Sequence, residues 1–154
     1  MGSGGCGGCG GCGGGNSSGA YNLSGAGTLT AGSMIVGGFG HGEFNQSGAT
    51  LATVTGNLTV GSGPQLPAGA GNTPVREGIV ALSGGVLNVG GNTIIGVGNS
   101  GSFTGDPGGK GTFTPTGGTH TVAGNLIIGQ GSGIGASAGG TGTYVLSGTG
   151  SSLV

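Results

Sequence analysis

Five residues of this chain carry a formal charge at neutral pH, Glu43, Arg76, Glu77, Asp106 and Lys110. Acid–base chemistry has to be built from these together with His41 and His120. Polysaccharide cleavage needs two carboxyl groups held in register across one bond. The three acids are spread along the sequence, and only the adjacent Arg76-Glu77 pair brings opposite charges side by side, so neither a hydrolase nor a lyase is expected. A serine nucleophile has no Gly-x-Ser-x-Gly elbow between a strand and a helix to present it. Asp106 is solitary, whereas calcium-binding β-rolls repeat an aspartate at every turn as an oxygen ligand. Gly96-Val-Gly98-Asn-Ser-Gly101 matches a dinucleotide fingerprint, but Ser-Phe-Thr-Gly-Asp-Pro-Gly-Gly follows where a helix should open. It reads as a corner loop, and no enzymatic activity and no cofactor are expected.

The thiols form a separate group. Cys6, Cys9 and Cys12 recur at a spacing of three in an otherwise Gly-rich leader. Cys-x-x-Cys is a metal-thiolate or redox spacing, yet no fourth ligand stands near it and no histidine follows as haem attachment requires. Three readings stay open for this segment: an added flexible leader, a disulfide tether between chains, and a soft-metal site for Cu(I) or Zn. An odd number of thiols favours pairing between chains in an oxidising compartment.

The rest of the composition says what must position these residues. Of 154 residues, 48 are Gly and 3% are charged, far outside the globular range. Collagen would place glycine at every third residue with abundant proline, and neither occurs here. A disordered linker would not hold hydrophobic residues at 32% in recurring β-branched clusters. With no Trp and 4% aromatics, whatever is buried forms a thin core. The formal charge of −1 lacks the basic patch that drives nucleic-acid binding, no apolar run is long enough to span a bilayer, and no secretory leader pattern opens the chain.

Self-comparison gives the organisation. Tyr21-Asn-Leu-Ser-Gly runs to Met34-Ile-Val-Gly37, Phe44-Asn-Gln-Ser-Gly to Leu58-Thr-Val-Gly61, Val80-Ala-Leu-Ser-Gly to Thr93-Ile-Ile-Gly96, and Phe113-Thr-Pro-Thr-Gly to Leu126-Ile-Ile-Gly129. A fifth copy begins at Tyr144-Val-Leu-Ser-Gly and reaches Val154. Each unit contains three short alternating runs closed by glycine, which describes one coil of a β-solenoid. The expected fold is therefore all-β: about five stacked coils over residues 19–154, preceded by a flexible Gly/Cys leader at 1–18.

Stacked coils pair their backbones along one axis about 4.8 Å apart and pile like side chains into columns. The alignment places Tyr21, Phe44, Val80, Phe113 and Tyr144 in one column and Val36, Val60, Ile95 and Ile128 in a core column. The Ile35, Thr59, Ile94 and Ile127 column and the column before it each contain one Thr, so periodicity does not decide which face of the third strand points inward. His120 falls in the column of Thr28, Ala52 and Leu87. Unequal insertions at 38–43, 62–79, 97–112 and 130–143 hold every charged residue and four of the five prolines. Thr-x-Thr pairs raise an ice-binding face, but they do not share one column.

"YNLSGAGTLTAGSMIVGG", "VALSGGVLNVGGNTIIG" and "YVLSGTGSSLV" resemble the Gly-rich strand repeats of bacterial autotransporter passenger domains and related surface proteins. The resemblance covers residues 19–154 and implies a secreted β-helical stalk, an adhesin or a cell-surface fibre. The expected function is a structural subunit of an extracellular fibre or surface layer that assembles head to tail with itself. Its assembly edge is the half coil carrying Tyr144, Leu146, Leu153 and Val154, with disulfides between chains as an additional tie. The alternative is an adhesin stalk whose insertions at 62–79 and 97–112 bind a surface glycan.

Overall fold

Short β-branched runs broken by glycine give the backbone no span in which helical hydrogen bonding can propagate. The computed structural model describes residues 8–9, 18–38, 40–62, 76–98, 108–131 and 139–154, and these residues contain thirteen strands and no helix. Residues of the first copy form β2 (Ser18–Leu23), β3 (Thr28–Ala31) and β4 (Met34–Val36), preceded by β1 (Gly8–Cys9). The second copy forms β5 (His41–Gln46), β6 (Leu51–Val54) and β7 (Leu58–Val60). In the third and fourth copies the first two strands fuse into β8 (Glu77–Val89) and β10 (Lys110–Val122), followed by β9 (Thr93–Val97) and β11 (Leu126–Gln130). The fifth copy contributes β12 (Thr141–Tyr144) and β13 (Ser151–Leu153).

All pairing is parallel, and each strand pairs with its counterpart in the adjoining copy. Three ladders result. The first runs β2-β5-β8-β10-β12, the second β3-β6-β8-β10-β13, and the third β1-β4-β7-β9-β11. The first two belong to one eight-stranded sheet because β8 and β10 pass through both, and the third is a separate five-stranded sheet. Where β10 turns from the first ladder into the second, its register shifts at Pro115, Gly117 and Thr119. Pro115 has no amide to give a ladder, and the irregularity absorbs that loss.

Side chains alternate across each strand, and burial now fixes which side is inward. On β4 the pattern is Met34 in, Ile35 out and Val36 in. Val36, Val60 and Ile95 are in register and have no exposed surface. Phe44, Val80 and Phe113 do the same on the first ladder, Ala52 and Leu87 on the second. Burying a large apolar side chain stabilises by about 2 kcal/mol, so these columns supply most of what offsets the ordering of so many glycines.

Two expectations need correction. The strands begin earlier than the apolar alignment suggests, so Glu43, Glu77 and Lys110 are strand residues and not members of insertions. Outward positions of a strand stay solvated, so a charge there meets no burial cost. In addition, the column of His120 contains Leu29, not Thr28: Leu29 pairs with Ala52, Ala52 with Leu87, and Leu87 with His120. The first corner is one residue longer in the first two copies than in the third and fourth, which an alignment anchored on the first strand does not register.

Glycine has one specific task in this arrangement. Gly19, Gly42, Gly78, Gly111 and Gly142 form a column two residues before the aromatic one. A Cβ on Gly111 would lie 2.3 Å from the Val60 carbonyl oxygen and 2.6 Å from the Gly96 amide nitrogen. The end of the third strand thus packs backbone against backbone on the start of the first.

Candidate functional site

Two clusters of polar and titratable side chains stand out, one on the outer surface and one in the interior. The outer cluster is built by register. His41 pairs with Glu77 and Glu77 with Lys110 along the start of the first ladder, and Glu43 lies two residues beyond His41 on the same face of β5. His41 Nε2 lies 2.9 Å from Glu43 Oε1 and Nδ1 lies 3.2 Å from Glu77 Oε2, while Lys110 Nζ donates to Glu77 Oε1 at 2.8 Å. The chain Glu43–His41–Glu77–Lys110 therefore crosses three strands.

Its electrostatics follow from alternating sign. The hydrogen bond to Glu43, with Glu77 beside it, raises the His41 pKa above its usual 6.5. His41 lowers Glu43 below the ordinary carboxylate range, and Lys110 first and His41 second do the same to Glu77. Two carboxylates thus meet after all, which corrects the expectation that no acid has a second one nearby. Both are held ionised against cations, so neither is kept protonated as a general acid requires. The arrangement clamps three neighbouring strands together.

The interior cluster centres on His120, which has no exposed surface. Its Nε2 lies 3.2 Å from Thr93 Oγ1 and its Nδ1 lies 3.2 Å from the Tyr144 hydroxyl, so one ring joins three successive copies. Phe113 stacks on the imidazole at 4.4 Å between centroids and on Tyr144 at 5.2 Å. Burial pushes the His120 pKa down to about 4 and that of Tyr144 up to about 12, so both stay neutral across the physiological range. A neutral imidazole with both nitrogens engaged and no solvent access has no free proton to trade with a substrate. Sequence reading left its environment open, although a signal was present: Thr93 and His120 are the polar members of otherwise apolar columns in adjoining copies. The glycine column two residues before the aromatics was equally visible and also went unread.

Gln46 is another buried polar side chain that joins copies. It stands inward between Leu23 and Leu82, and its amide donates to the carbonyls of Val86 at 2.9 Å and Thr50 at 3.4 Å.

The remaining sequence-derived residues are placed as follows. Tyr21, Phe44, Val80, Phe113 and Tyr144 are in register, and Tyr21 stacks on Phe44 at 5.9 Å. Ile128 pairs with Ile95, continuing the Val36–Val60 column. Of the thiol-bearing positions, Cys9 lies in β1 with its backbone opposite Val36, while Cys6, Cys12 and Asp106 fall outside the described residues, as does most of the insertions at 62–79 and 97–112. Among the described residues no group of three or more His, Cys, Asp or Glu could hold a metal ion, and no helix is long and apolar enough to cross a membrane. Comparisons of the chain with family models, with curated proteins and with solved structures find no match.

The last region is the end of the stack at the fifth copy. Ile128 is 47% exposed, Leu146 47% and Leu153 41%. Deeper members of the same columns, Ile95, Leu82 and Leu87, have no exposed surface. Val154 reaches 72% exposure while its backbone still pairs with Val122 and His120. Tyr144 and Leu146 lie on β12 and just beyond it, and Leu153 lies on β13.

Proposed function

We propose that this chain is a β-solenoid of about five coils that serves as a structural subunit, stacking head to tail with copies of itself into an extracellular fibre or surface layer. The carrying observation is the set of inward columns laid open at the fifth copy, where Ile128, Leu146 and Leu153 expose core-type side chains. Beside them run strand edges whose backbone groups can accept another strand, and such edges polymerise unless they are covered. Both polar clusters suit a scaffold: one is a clamp on the outer face, the other a neutral brace within. The likeness to autotransporter passenger repeats supplies the extracellular part of the reading.

A head-to-tail contact between different surfaces gives an open polymer unless its rotation closes a ring. A net charge of −1 offers little repulsion between such polymers, so lateral bundling accompanies growth. Negative-stain microscopy and sedimentation of the purified protein over a range of concentrations test the reading. Filaments with one repeat per subunit are expected, and a monodisperse monomer at every concentration overturns it.

A further inference from the structure

We infer that the outer face of the second ladder binds ice, anchoring a layer of ordered water on ranks of threonine. This face lies along the side of the stack, and nothing in its geometry depends on whether copies join head to tail. Its outward positions form two columns. One holds Thr28, Leu51, Val86 and Thr119; the other holds Thr30, Thr53, Asn88 and Thr121. An alignment anchored on the first strand scatters the Thr-x-Thr pairs and sets Leu87 and Val89 among them. Backbone pairing corrects this. Leu87 and Val89 point inward, and Thr28/Thr30, Thr53 and Thr119/Thr121 stand in register on the outside.

The polar groups of this face are left to solvent. Elsewhere on the surface, polar residues of adjoining copies bond to one another or to the backbone. Asn45 donates to Asn22 at 3.0 Å, the Asn57 side chain accepts from the Asn92 amide at 2.9 Å, and that of Asn92 accepts from the Asn125 amide at 2.8 Å. Among the described residues, the hydroxyls of Thr28, Thr30, Thr53 and Thr121 and the side-chain amide of Asn88 engage no protein group. Thr119 differs, accepting from the Ser152 hydroxyl at 3.1 Å.

Spacing and rigidity suit a crystalline partner. The side chains recur about every 4.8 Å from rung to rung and about every 6.6 Å along a strand. These intervals are comparable with the oxygen repeats on a prism face of hexagonal ice. Branching at Cβ restricts χ1 of the threonines and of Val86, so hydroxyl and methyl positions are held. Beneath the face, Ala52, Leu87 and His120 have no exposed surface, and His120 ties β10 to Thr93 and Tyr144. A face ordered beforehand loses little entropy on binding. The methyls and the Leu51 and Val86 side chains restrict the water over them, while the free hydroxyls offer it hydrogen bonds.

Charge and side-chain type choose the occupant. The first ladder carries Glu43, His41, Glu77 and Lys110 outward, whereas the outward residues of the second ladder are uncharged, as a neutral lattice requires. The same face holds no aromatic and no arginine anchor, around which protein interfaces are built. A surface that repeats in two directions is matched by a partner that does so too, and ice is such a partner.

Two measurements on the purified chain test this: the fraction of protein drawn into slowly growing ice, and the shape of ice crystals grown in its presence. The parent should enter ice and facet the crystals. Thr53→Lys should lose both effects, while Thr59→Lys, at an outward position of the third ladder, should keep them; thermal unfolding checks that both variants fold. Completing the ranks with Leu51→Thr, Val86→Thr and Asn88→Thr should strengthen both effects beyond the parent, a gain that misfolding could not produce. A parent excluded from ice overturns the inference. So do equal behaviour of Thr53→Lys and Thr59→Lys, and completed ranks that bind ice no better. If the parent is excluded from ice but pairs side by side in sedimentation, and Thr53→Lys abolishes that pairing, a second copy covers the face and ice does not.

Discussion

The inner and outer faces of the same parallel strands use histidine in opposite ways. His120, packed against the rings of Phe113 and Tyr144, is kept neutral by burial; His41, set between two carboxylates on the outer surface, is favoured as a cation. The difference teaches that in a stack this thin the side of the strand decides a residue's role. Inward positions are desolvated and must find partners inside, whereas outward positions exchange their losses with water.

The sharpest way to break this contrast is to cut equally on both faces. Phe113 is fully buried and its neighbour Thr112 points out. Phe113→Ala should destabilise the fold by about 4 kcal/mol. Thr112→Ala should stay within about 0.5 kcal/mol. Urea unfolding followed by circular dichroism reads both, and equal losses would show that the inner face is no core.

Acid comes next. The His120 imidazole binds its proton near 4 in the fold and near 6.5 once unfolded, so below 6.5 the unfolded chain takes up more protons. The stabilisation from keeping His120 neutral is complete above 6.5, is lost as pH falls from 6.5 to about 4, and declines no further below that. At roughly 1.4 kcal/mol per pKa unit the whole loss is about 3 kcal/mol. His120→Leu, which restores the residue type of Leu87 and Leu153, should flatten this part of the stability profile, and an unchanged slope would assign the acid sensitivity elsewhere.

A glycine comparison is expected to be smaller. Gly111→Ala drives a methyl into the Val60 carbonyl and the Gly96 amide and should cost about 2 kcal/mol, while Gly32, with nothing within 4 Å of its would-be Cβ, should accept alanine without loss. Thermal unfolding of the two variants decides whether the close backbone approach is needed.

These contrasts also mark how far the amino-acid pattern could be read. The aromatic and Val/Ile columns were legible because apolar residues recur at nearly one spacing through the first four copies, as strands paired in register require. The corner lengths were not legible: a residue added at one turn and removed at the next leaves Tyr21 and Met34 aligned while sliding the strand between them, which is why Leu29 and not Thr28 shares a column with His120. The charged clamp was hidden for another reason. Glu77 and Lys110 share with Ser18, His41 and Thr141 a column that is polar in every copy, Glu43 stands two residues further on, and polar outward strand residues resemble loop residues when only hydrophobicity is followed. Pairing shows them as strand. β1 was also invisible, since Gly8–Cys9 has no apolar pattern and only its register against Ile35 and Val36 shows that it continues a ladder.

The smallest effect belongs to the outer face. Lys110→Ala removes one end of the Glu43–His41–Glu77–Lys110 chain, and because Lys110 is largely exposed, the expected loss is below about 1 kcal/mol and shrinks in high salt. The pH dependence should be the reverse of that of His120. His41 titrates higher in the fold than in the unfolded chain, so its contribution is complete below 6.5 and is lost as pH rises through its raised value. The carboxylates act at the other limit: Glu77, lowered mainly by Lys110, contributes above 4.5 and loses that contribution as pH falls through its lowered value. His41→Gln should therefore remove a decline in stability on the alkaline side of 6.5 while leaving the acid limb of His120 in place. Nuclear magnetic resonance titration of the two imidazoles checks the assignment directly. One ring should titrate above 6.5 and the other well below it; two rings titrating together would mean that inner and outer faces do not differ as the side-chain environments require.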